Sequence, residues 1–460
     1  MSQMKINLDK ATAAQTAMAV QQGEVSALKV CEAAISRIEQ RDGPINAIVV
    51  RDFERARLAA KTLDDSFNQD DQRPLLGVAM TVKESVGVAG LPSSWGIPEF
   101  ADADAETDSV AVQRLKAAGA IILGKSNIPM ALADWQSDSP VYGRTVNPHD
   151  ASRTPGGSSG GAAAAIASGM VPLELGSDIG GSVRVPSHMC GVFGHKSTYG
   201  IIPMVGHEFP GSDCLSPELA VLGPLARTAD DLALALDVLA GPDEHSPYLL
   251  NLPKAKPGLL QDYRVLVLEN HPAIETDGSV SKPLSKLVEK LEDIGVSVVR
   301  HVEGMPDLAA EHADYRQMLL AIITRDMPSG TPVDAHGWMD LKDKQMRCAR
   351  QWNKVFEHVD VILTPPFGVP AFHHDDNPDW AARRLIINGD LAPYGNQVAW
   401  PGIATFPGLP ATAAPIDFTN AGLPVGVQII GASYHDHTTI KFAALLEKEG
   451  LTADALAGIE

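Results

Sequence analysis

The stretch PGGSSGGAAAAIASGMVPLELGSDIGGSVRVPSHMCGVFGHKSTYG, residues 155–200, carries the most specific pattern in this chain. Two clusters of glycine and serine, one containing Ser158 and the other Ser182, flank a helix pattern, AAAAIASG, and a strand pattern, VPLEL. Small side chains let neighbouring backbones approach closely, so this unit is predicted to pack tightly. The two serines are therefore the first candidates for chemistry.

Helix and strand patterns alternate on both sides of this stretch. Upstream, helical patterns at residues 11–40 and 53–67 lead to an apolar strand at 78–82, which has Lys83 at its end. Such alternation is typical of an α/β fold with a mixed, mostly parallel central sheet that helices cover on both faces. The other predicted strands are AIIL, VPLEL, YRVLVLE, VSVVR, DVILTP and GLPVGVQII.

The length of 460 residues alone would allow about three domains at roughly 150 residues each. Apolar strand patterns nevertheless continue on both sides of the Pro-rich segment 242–257. We therefore predict a single domain over residues 1–460, with a core at about 75–205 and a variable region at about 242–400.

The composition disfavours several classes of function. Asp and Glu (57) outnumber Lys and Arg (37), the net charge is −20, and no stretch concentrates basic residues, so nucleic-acid binding is not expected. The polar start and the absence of a long apolar run predict a cytoplasmic protein that does not enter a membrane. The cysteines lie far apart without a CxxC pair, which indicates a reducing compartment and no disulfide framework: Cys31, Cys190, Cys214 and Cys348.

Two short segments match the sequence motifs of unrelated enzymes, but the predicted secondary structure around them does not fit these motifs. Residues 119–126, GAIILGKS, satisfy the phosphate-binding pattern GxxxxGK[ST], but a helix pattern precedes them and AIIL resembles a strand. Residues 156–160, GGSSG, satisfy the GxSxG pattern of α/β-hydrolases, but the preceding NPHDASRTP has two prolines and no strand pattern. Neither an ATPase nor an α/β-hydrolase is favoured.

Two histidine clusters, at residues 373–376 (HHDD) and 435–437 (HDH), contain metal-ligand residue types. A third ligand at motif spacing is missing from both, and both lie in polar, loop-like sequence. We therefore expect solvated or structural histidines and no metal site.

The whole segment 155–200 closely resembles the signature of the amidase signature family of serine hydrolases. Upstream, TVKES at residues 81–85 matches the lysine-bearing strand of the family, and GLPVGVQIIG at 422–431 is similar to its C-terminal strand. The resemblance thus spans most of the chain, and it implies the amidase signature fold.

By this resemblance, Ser182 is the nucleophile, Ser158 is a bridging serine in a cis peptide after Gly157, and Lys83 is the base. The chemistry agrees, because a serine hydroxyl needs a neighbouring base, and a lysine serves as one only when burial lowers its pKa. Lys83, at the end of an apolar strand, is well placed for such burial.

The resemblance also implies an oxyanion hole and its supports. The donors would be the backbone N–H groups of four consecutive residues, where glycines let several N–H groups converge on one small volume: Ile179, Gly180, Gly181 and Ser182. Three side chains match supporting positions around the catalytic residues: Ser159, Asp178 and Arg184.

The sequence departs from the family at two places. Where the family commonly has Lys-Pro-Thr, this chain has KST at residues 196–198, and Glu84 stands where relatives often have Asp. Neither change touches a catalytic position. A pocket wall is expected within residues 132–143, with Leu132 and Trp135 as candidates, although Trp135 is equally interpretable as core.

The resemblance implies hydrolysis of a small-molecule carboxylic amide to an acid and ammonia or an amine, without a metal or organic cofactor. The alternatives are the glutaminase (A) subunit of a tRNA-dependent amidotransferase, an ester or carbamate hydrolase, and, as the least favoured, a binding protein on the same scaffold. The substrate is not identified, because the variable region at about 242–400 shapes the pocket. Whether the protein forms a homodimer or needs partner subunits is left open.

Overall fold

Strands from both ends of the chain meet in one sheet. The computed structural model describes residues 6–212, 217–244, 246, 248–325, 330, 332–454 and 456, so Cys214 lies outside the described residues. The strands of the described residues are β1 Ile48–Arg51, β2 Ala79–Lys83, β3 Ile121–Ser126, β4 Asp138–Ser139, β5 Gly143–Arg144, β6 Leu173–Asp178, β7 Phe193–Lys196, β8 Val221–Ala226, β9 Arg264–Val267, β10 Ser297–Val299, β11 Val361–Thr364, β12 Arg384–Ile387, β13 Asp390–Pro393, β14 Ala411–Phe418 and β15 Pro424–Ile430.

Helices alternate with these strands along most of the chain. The α-helices of the described residues are α1 Ala13–Gln21, α2 Ala27–Arg41, α3 Phe53–Asp65, α4 Val110–Ala117, α5 Gly160–Ala167, α6 Arg184–Cys190, α7 Ala229–Leu239, α8 Gly278–Asp293, α9 Leu308–Ile323, α10 Ala335–Val355, α11 Ala399–Thr405 and α12 Asp436–Lys448. Short 3₁₀ turns add Pro98–Phe100, Met130–Leu132, Leu260–Asp262 and Tyr394–Val398.

Eleven of the described strands form one sheet in the order β1-β3-β2-β6-β8-β7-β14-β15-β11-β9-β10. The predicted mixed sheet is confirmed, but the expectation of mostly parallel pairing is wrong. Among the described strands, four neighbouring pairs are parallel and six are antiparallel. All neighbouring pairs between β6 and β11 in this order are antiparallel. Within this part of the sheet, a short turn joins β14 to β15, and such a turn can only connect antiparallel strands.

Helices cover both faces of the sheet, as predicted. Alternate residues of one strand point to opposite faces. In β11, for example, Val361 and Leu363 enter the apolar cluster shared with α7, α8 and α12, whereas Ile362 enters the cluster shared with α9 and α10. The helical pattern at residues 11–40 is divided into α1 and α2, because Gly23 between them has a φ of 72°, in the left-handed region.

The helix α5 brings the two glycine and serine clusters together. All of its eight residues are buried, and its alanines pack with the apolar side chains of α2 and β3. Gly161 has no room for a Cβ atom, which would lie 2.3 Å from the amide nitrogen of Asn127. This close approach sets Ser158 and Ser159, which precede α5, against the sheet.

The two misleading motifs have a plain structural explanation. The residues Gly124, Lys125 and Ser126 of the phosphate-binding pattern belong to the buried strand β3 and form no loop. Ser158 lies before α5, but the residues that precede it form turns instead of the strand that a nucleophile elbow requires. Neither segment therefore has the strand and loop context that its motif requires.

Among the described residues, no helix is long and apolar enough to cross a membrane. Cys31, Cys190 and Cys348 are buried free thiols. The prediction of a single domain stays a prediction.

Candidate active site

Lys83 is the last residue of β2 and is completely buried. Its Nζ donates to the Oγ of Ser158 at 2.6 Å and to the Oγ of Ser177 at 2.9 Å. Burial lowers the pKa of Lys83 to about 7, although the negative charges of Asp178 and Glu174 oppose this shift. An amine with this pKa is partly neutral near pH 7 and can accept a proton.

Ser158 lies between Lys83 and the second serine cluster. The Gly157–Ser158 peptide bond is cis. A Cβ atom on Gly157 would lie 2.4 Å from the carbonyl oxygen of Asp134 and 3.0 Å from the backbone of Trp135. Only glycine therefore fits before Ser158, and the predicted Lys83–Ser158 contact is present.

Ser182 precedes α6, at the end of the second glycine cluster. Its backbone carbonyl accepts from the N–H of Ser159 at 3.1 Å, so the two clusters are in direct contact. Ser182 is 6% exposed, compared with 1% for Ser158 and 0% for Lys83. Of the three residues, Ser182 is thus the most open to a molecule that arrives from solvent.

The turn 179–182 is held by side chains that bind its carbonyl groups. Tyr315 donates its hydroxyl to the carbonyl oxygen of Ile179 at 2.7 Å, and Trp135 donates its indole N–H to that of Gly180 at 2.9 Å. In a trans peptide the N–H points away from the C=O of the same unit. Tyr315 and Trp135 therefore fix the directions of the Gly180 and Gly181 N–H groups.

Asp178 engages one of the four expected oxyanion donors. Its carboxylate accepts from the N–H of Gly181 at 2.9 Å and from that of Val183 at 3.0 Å. The N–H of Gly181 is therefore already hydrogen-bonded, which the sequence did not indicate. Within the described part of the chain, no acceptor is found for the N–H groups of Ile179, Gly180 and Ser182.

Arg184 is fully buried. Its guanidinium forms a bidentate ion pair with Asp178, with distances of 2.7 Å and 3.0 Å. Burial opposes ionisation of Asp178, but the charge and hydrogen bonds of Arg184 outweigh it and lower the pKa of Asp178 to about 2. The remaining donors of Arg184 bind α11 and β15 through Pro401, Thr405 and Gln428.

Trp135 is a core residue, and its role as a pocket wall stays a prediction. It is 4% exposed and packs in an aromatic cluster with Phe367, Trp380 and Tyr394 at ring distances of 4.9, 5.4 and 5.1 Å. Its N–H also binds the turn that contains Gly180. Leu132 is half-buried in a 3₁₀ turn and has a φ of 58°.

Asp134 connects the variable region to the segment beside Gly157. The sequence analysis did not identify it. Its carboxylate accepts from Arg383 at 2.5 Å and from the hydroxyl of Tyr394 at 2.6 Å. Arg383 and Tyr394 flank the hairpin β12–β13. The hairpin is thereby tied to the backbone that touches Gly157.

The two departures from the family pattern have structural roles. Glu84 accepts from the N–H groups of Ser94 and Trp95 at 2.7 and 3.1 Å and from the hydroxyl of Tyr142 at 2.8 Å, so it holds a loop. Ser197, which stands where the family commonly has proline, donates its hydroxyl to the carbonyl oxygen of Leu222 at 2.8 Å. Neither side chain forms a hydrogen bond with Lys83, Ser158 or Ser182 in the described residues.

The histidine clusters have other contacts. The ring of His373 contacts Ser152 at 3.3 Å, and that of His437 pairs with Asp237 at 3.1 Å. The described residues contain no group of three or more His, Cys, Asp or Glu side chains arranged to hold a metal ion.

Ser177 and Tyr315 are further site residues that the sequence analysis did not identify. Ser177 lies in the signature segment, next to Asp178, so its position beside the catalytic motif was the available signal. Tyr315 lies in α9, far along the chain, and no local pattern marks it.

Comparison with known proteins places this arrangement in a family. A model of the amidase family matches residues 29–328 and 316–440. The (A) subunit of the glutamyl-tRNA(Gln) amidotransferase of Deinococcus radiodurans is 31% identical over 486 residues, covering 95% of this chain and 97% of that protein. The indoleacetamide hydrolase of Bradyrhizobium diazoefficiens is 30% identical over 471 residues, covering 97% of this chain and 88% of that protein.

Solved structures agree with these matches. A chain from a vestigial protein complex, described as revealing the evolutionary origins of an s-triazine catabolic enzyme, superposes with a TM-score of 0.83. It is 28% identical and covers 96% of this chain and 100% of its own. Because the family model and the relatives cover nearly the whole sequence, this chain belongs to the amidase signature family.

Proposed function

We propose that this protein is an amidohydrolase that cleaves a carboxylic amide to an acid and ammonia or an amine through an acyl-enzyme on Ser182. The observation that carries the proposal is the contact of 2.6 Å between Lys83 Nζ and Ser158 Oγ in a buried site. With its pKa lowered to about 7, Lys83 is available as a base at neutral pH.

In the proposed reaction, the Oγ of Ser182 attacks the amide carbonyl carbon while its proton passes to Ser158 and the proton of Ser158 passes to Lys83. The tetrahedral intermediate collapses when the same relay returns a proton to the nitrogen, and the C–N bond breaks. Water then attacks the Ser182 ester and releases the acid. These steps require no redox change.

The negative oxygen of the intermediate is stabilised, in this proposal, by the N–H groups of Ile179, Gly180 and Ser182. Gly181, the fourth donor implied by the resemblance, would have to exchange its hydrogen bond with Asp178 to take part. Donors that are fixed before the reaction stabilise developing charge without reorganisation, and losing one typically reduces the rate by about 10²-fold or more.

We propose an apolar acyl or aryl amide as substrate in preference to glutamine. The aromatic cluster around Trp135 supports this choice, since Trp380 and Phe372 in that cluster are only partly buried. The alternative is the glutaminase subunit of an amidotransferase, which the 31% identity to such a subunit supports. Ester or carbamate cleavage would use the same relay.

Hydroxylamine trapping tests the proposal. Purified alone, the protein should convert an aryl amide to a hydroxamate, because hydroxylamine competes with water for the Ser182 ester. The assay compares an aryl amide, an ester and glutamine, each with and without an extract that could supply partner subunits. Ser182→Ala is the control for contaminating activity.

Two results would contradict the proposal. Hydroxamate formed by Ser182→Ala at more than a few per cent of the wild-type yield would refute the nucleophile. Activity with glutamine alone, and only after partner subunits are added, would favour the amidotransferase alternative.

A further inference from the structure

Two buried hydroxyl groups hold the loop that carries Ser158, and the proposed mechanism does not use them. Ser137 and Thr154 are 1% and 0% exposed, so neither side chain is open to a molecule that arrives from solvent. Each hydroxyl forms two hydrogen bonds, and at least one of the two ends on the backbone of residues 156–160. The loop is therefore held by groups that lie outside it.

Ser137 joins the two ends of this loop. Its Oγ accepts from the N–H of Gly160 at 3.0 Å and donates to the carbonyl oxygen of Gly156 at 3.1 Å. A hydroxyl group has one proton and two lone pairs, so it can form both bonds at once. Because Ser158 lies midway between Gly156 and Gly160, one hydroxyl fixes the backbone on both sides of it.

Thr154 ties the same loop to a neighbouring segment. Its Oγ1 accepts from the N–H of Gly156 at 3.0 Å and donates to the carbonyl oxygen of Trp135 at 3.0 Å. The indole N–H of Trp135 in turn binds the carbonyl oxygen of Gly180 in the second glycine cluster. Hydrogen bonds through Trp135 therefore connect the loop of Ser158 to the turn that contains Gly180.

Ser137 is itself held in place, which a residue that positions another one requires. Its carbonyl oxygen accepts from the N–H of Thr145 at 2.8 Å, at the open end of the hairpin β4–β5. The hydroxyl of Thr145 donates to the carbonyl oxygen of Asn46 at 2.6 Å and accepts from the side-chain amide of Asn127 at 2.9 Å. Ser137 is thus connected to the segment before β1 and to the end of β3.

We propose that Ser137 is a positioning residue for the bridging serine, because its hydroxyl fixes the backbone from which Ser158 reaches Lys83. This inference rests on the proposed function, in which the proton of Ser182 passes through Ser158 to Lys83. The relay needs the contact of 2.6 Å between Ser158 Oγ and Lys83 Nζ. Since a misplacement of about 1 Å can reduce a rate by about 10²-fold, the loss of Ser137 should slow the reaction of Ser182.

The rate at which a fluorophosphonate probe labels Ser182 is the measurement, because it does not require the substrate. Ser182 Oγ attacks phosphorus, the P–F bond breaks and fluoride leaves, and the proton passes through Ser158 to Lys83. Ser137→Ala removes the hydrogen bonds at both ends of the loop. We expect labelling of this variant to be about 10 to 100 times slower than that of the wild type.

A double-mutant cycle separates positioning from a general loss of structure. If Ser137 acts through Ser158, Ser137→Ala should slow labelling by less than about threefold in a Ser158→Ala background, where the positioned group is absent. A general defect would slow labelling equally in both backgrounds. Ser168→Ala is the matched control, since Ser168 is also 1% exposed and its hydroxyl donates to the carbonyl oxygen of Ala164 at the other end of α5. Its labelling should remain close to that of the wild type.

Thr154→Val provides a second variant in case Ser137→Ala does not fold. It keeps the shape of the side chain and removes the link between Gly156 and Trp135, so labelling should be about tenfold slower, again only while Ser158 is present.

The inference is overturned by unchanged labelling in a folded Ser137→Ala protein, or in Thr154→Val when only that variant folds. Equal slowing with and without Ser158 also overturns it. So does failure of both variants to fold, because the two hydroxyls would then serve the fold as a whole. Labelling that persists in Ser182→Ala overturns the proposed function instead, and the two failures are thus distinguishable.

Discussion

Lys83 shows how burial can bring the pKa of an ordinary lysine side chain close to neutral pH. The ammonium form loses its hydration when the side chain is enclosed, and this cost is larger than the attraction of the nearby carboxylates. The serine hydroxyls around Nζ can accept from the ammonium or donate to the neutral amine. The residue is therefore poised between two protonation states near pH 7.

The pH dependence of the activity follows from this position. Below the lowered pKa of about 7, Lys83 is protonated and cannot accept a proton, so kcat/KM should rise with pH through a limb centred near pH 7. The measurement is kcat/KM from pH 5.5 to 9 on a substrate whose chemical step limits the rate. A flat profile would refute a lysine base.

Arg184 should be essential for stability, because it neutralises the buried carboxylate of Asp178. Arg184→Gln leaves that charge unpaired, and breaking a buried ion pair in this way typically costs about 3–5 kcal/mol. We expect a large decrease in the urea midpoint. Arg300→Gln is the control, since Arg300 is 54% exposed in its pair with Glu292 and its loss should change stability by less than about 1 kcal/mol.

At the scale of elements, α5 fixes the position of the serine clusters relative to the sheet. The helix cannot shift freely at Gly161. The N–H of Gly161 donates to the carbonyl oxygen of Asn127 at 3.2 Å, and the backbone of Asn127 leaves no space for a side chain at Gly161. The helix can approach β3 this closely only because its residues are small.

Gly161→Ala should therefore destabilise the protein and reduce activity together. The added methyl group would lie 2.3 Å from the nitrogen of Asn127, so the helix must shift, at a cost of about 1–3 kcal/mol. Thermal unfolding and the rate of Ser182 labelling measure the two effects. Gly43→Ala is the matched control, because a Cβ atom there has no neighbour within 4 Å, and normal stability of Gly161→Ala would contradict the argument.

The elements that could be predicted from the sequence are those with local signals. The strand that ends at Lys83 and the small-residue helix α5 both follow from the residue pattern. The pairing directions were not predictable in the same way. Whether β8 pairs with β6 in parallel or antiparallel orientation depends on the path of the chain that connects them. The residues of the two strands do not indicate that path.

The same difference between local and distant signals separates the site residues that could be predicted from those that could not. Lys83, Ser158 and Ser182 could be predicted because they lie in segments that resemble the family signature. Asp134 and Tyr315 could not be found, because each acts through a partner that is distant in sequence: Arg383 for the first and Ile179 for the second.

At the scale of the whole molecule, the carboxylate of Asp134 is one of the groups that fasten the variable region to the site. Asp134 accepts from Arg383 and Tyr394, which flank β12 and β13, and its own carbonyl lies against Gly157. The hairpin exposes Ile386 and Leu391, which are 68% and 73% accessible, whereas Leu385 and Ile387 on its other face pack in the apolar core.

Asp134→Ala should loosen this hairpin. The guanidinium of Arg383 and the hydroxyl of Tyr394 both lose their acceptor, at a cost of about 1–3 kcal/mol. We expect faster limited proteolysis within residues 384–393 and a decrease in kcat/KM of at least tenfold, because the backbone beside Gly157 is no longer fixed. Cleavage and activity like those of the wild type would show that the hairpin is held by other contacts.

The hydrogen bonds from Trp135 and Tyr315 to the turn 179–182 have a consequence for how this protein can acquire new specificity. An aromatic side chain beside the reaction centre is an obvious target for enlarging or reshaping the pocket. Here, however, the same two side chains orient the peptide groups of Ile179 and Gly180. We expect that exchanging either for an aliphatic residue would remove a hydrogen bond to the turn and lower the catalytic rate, so redesign has to begin at positions that do not bond to the turn.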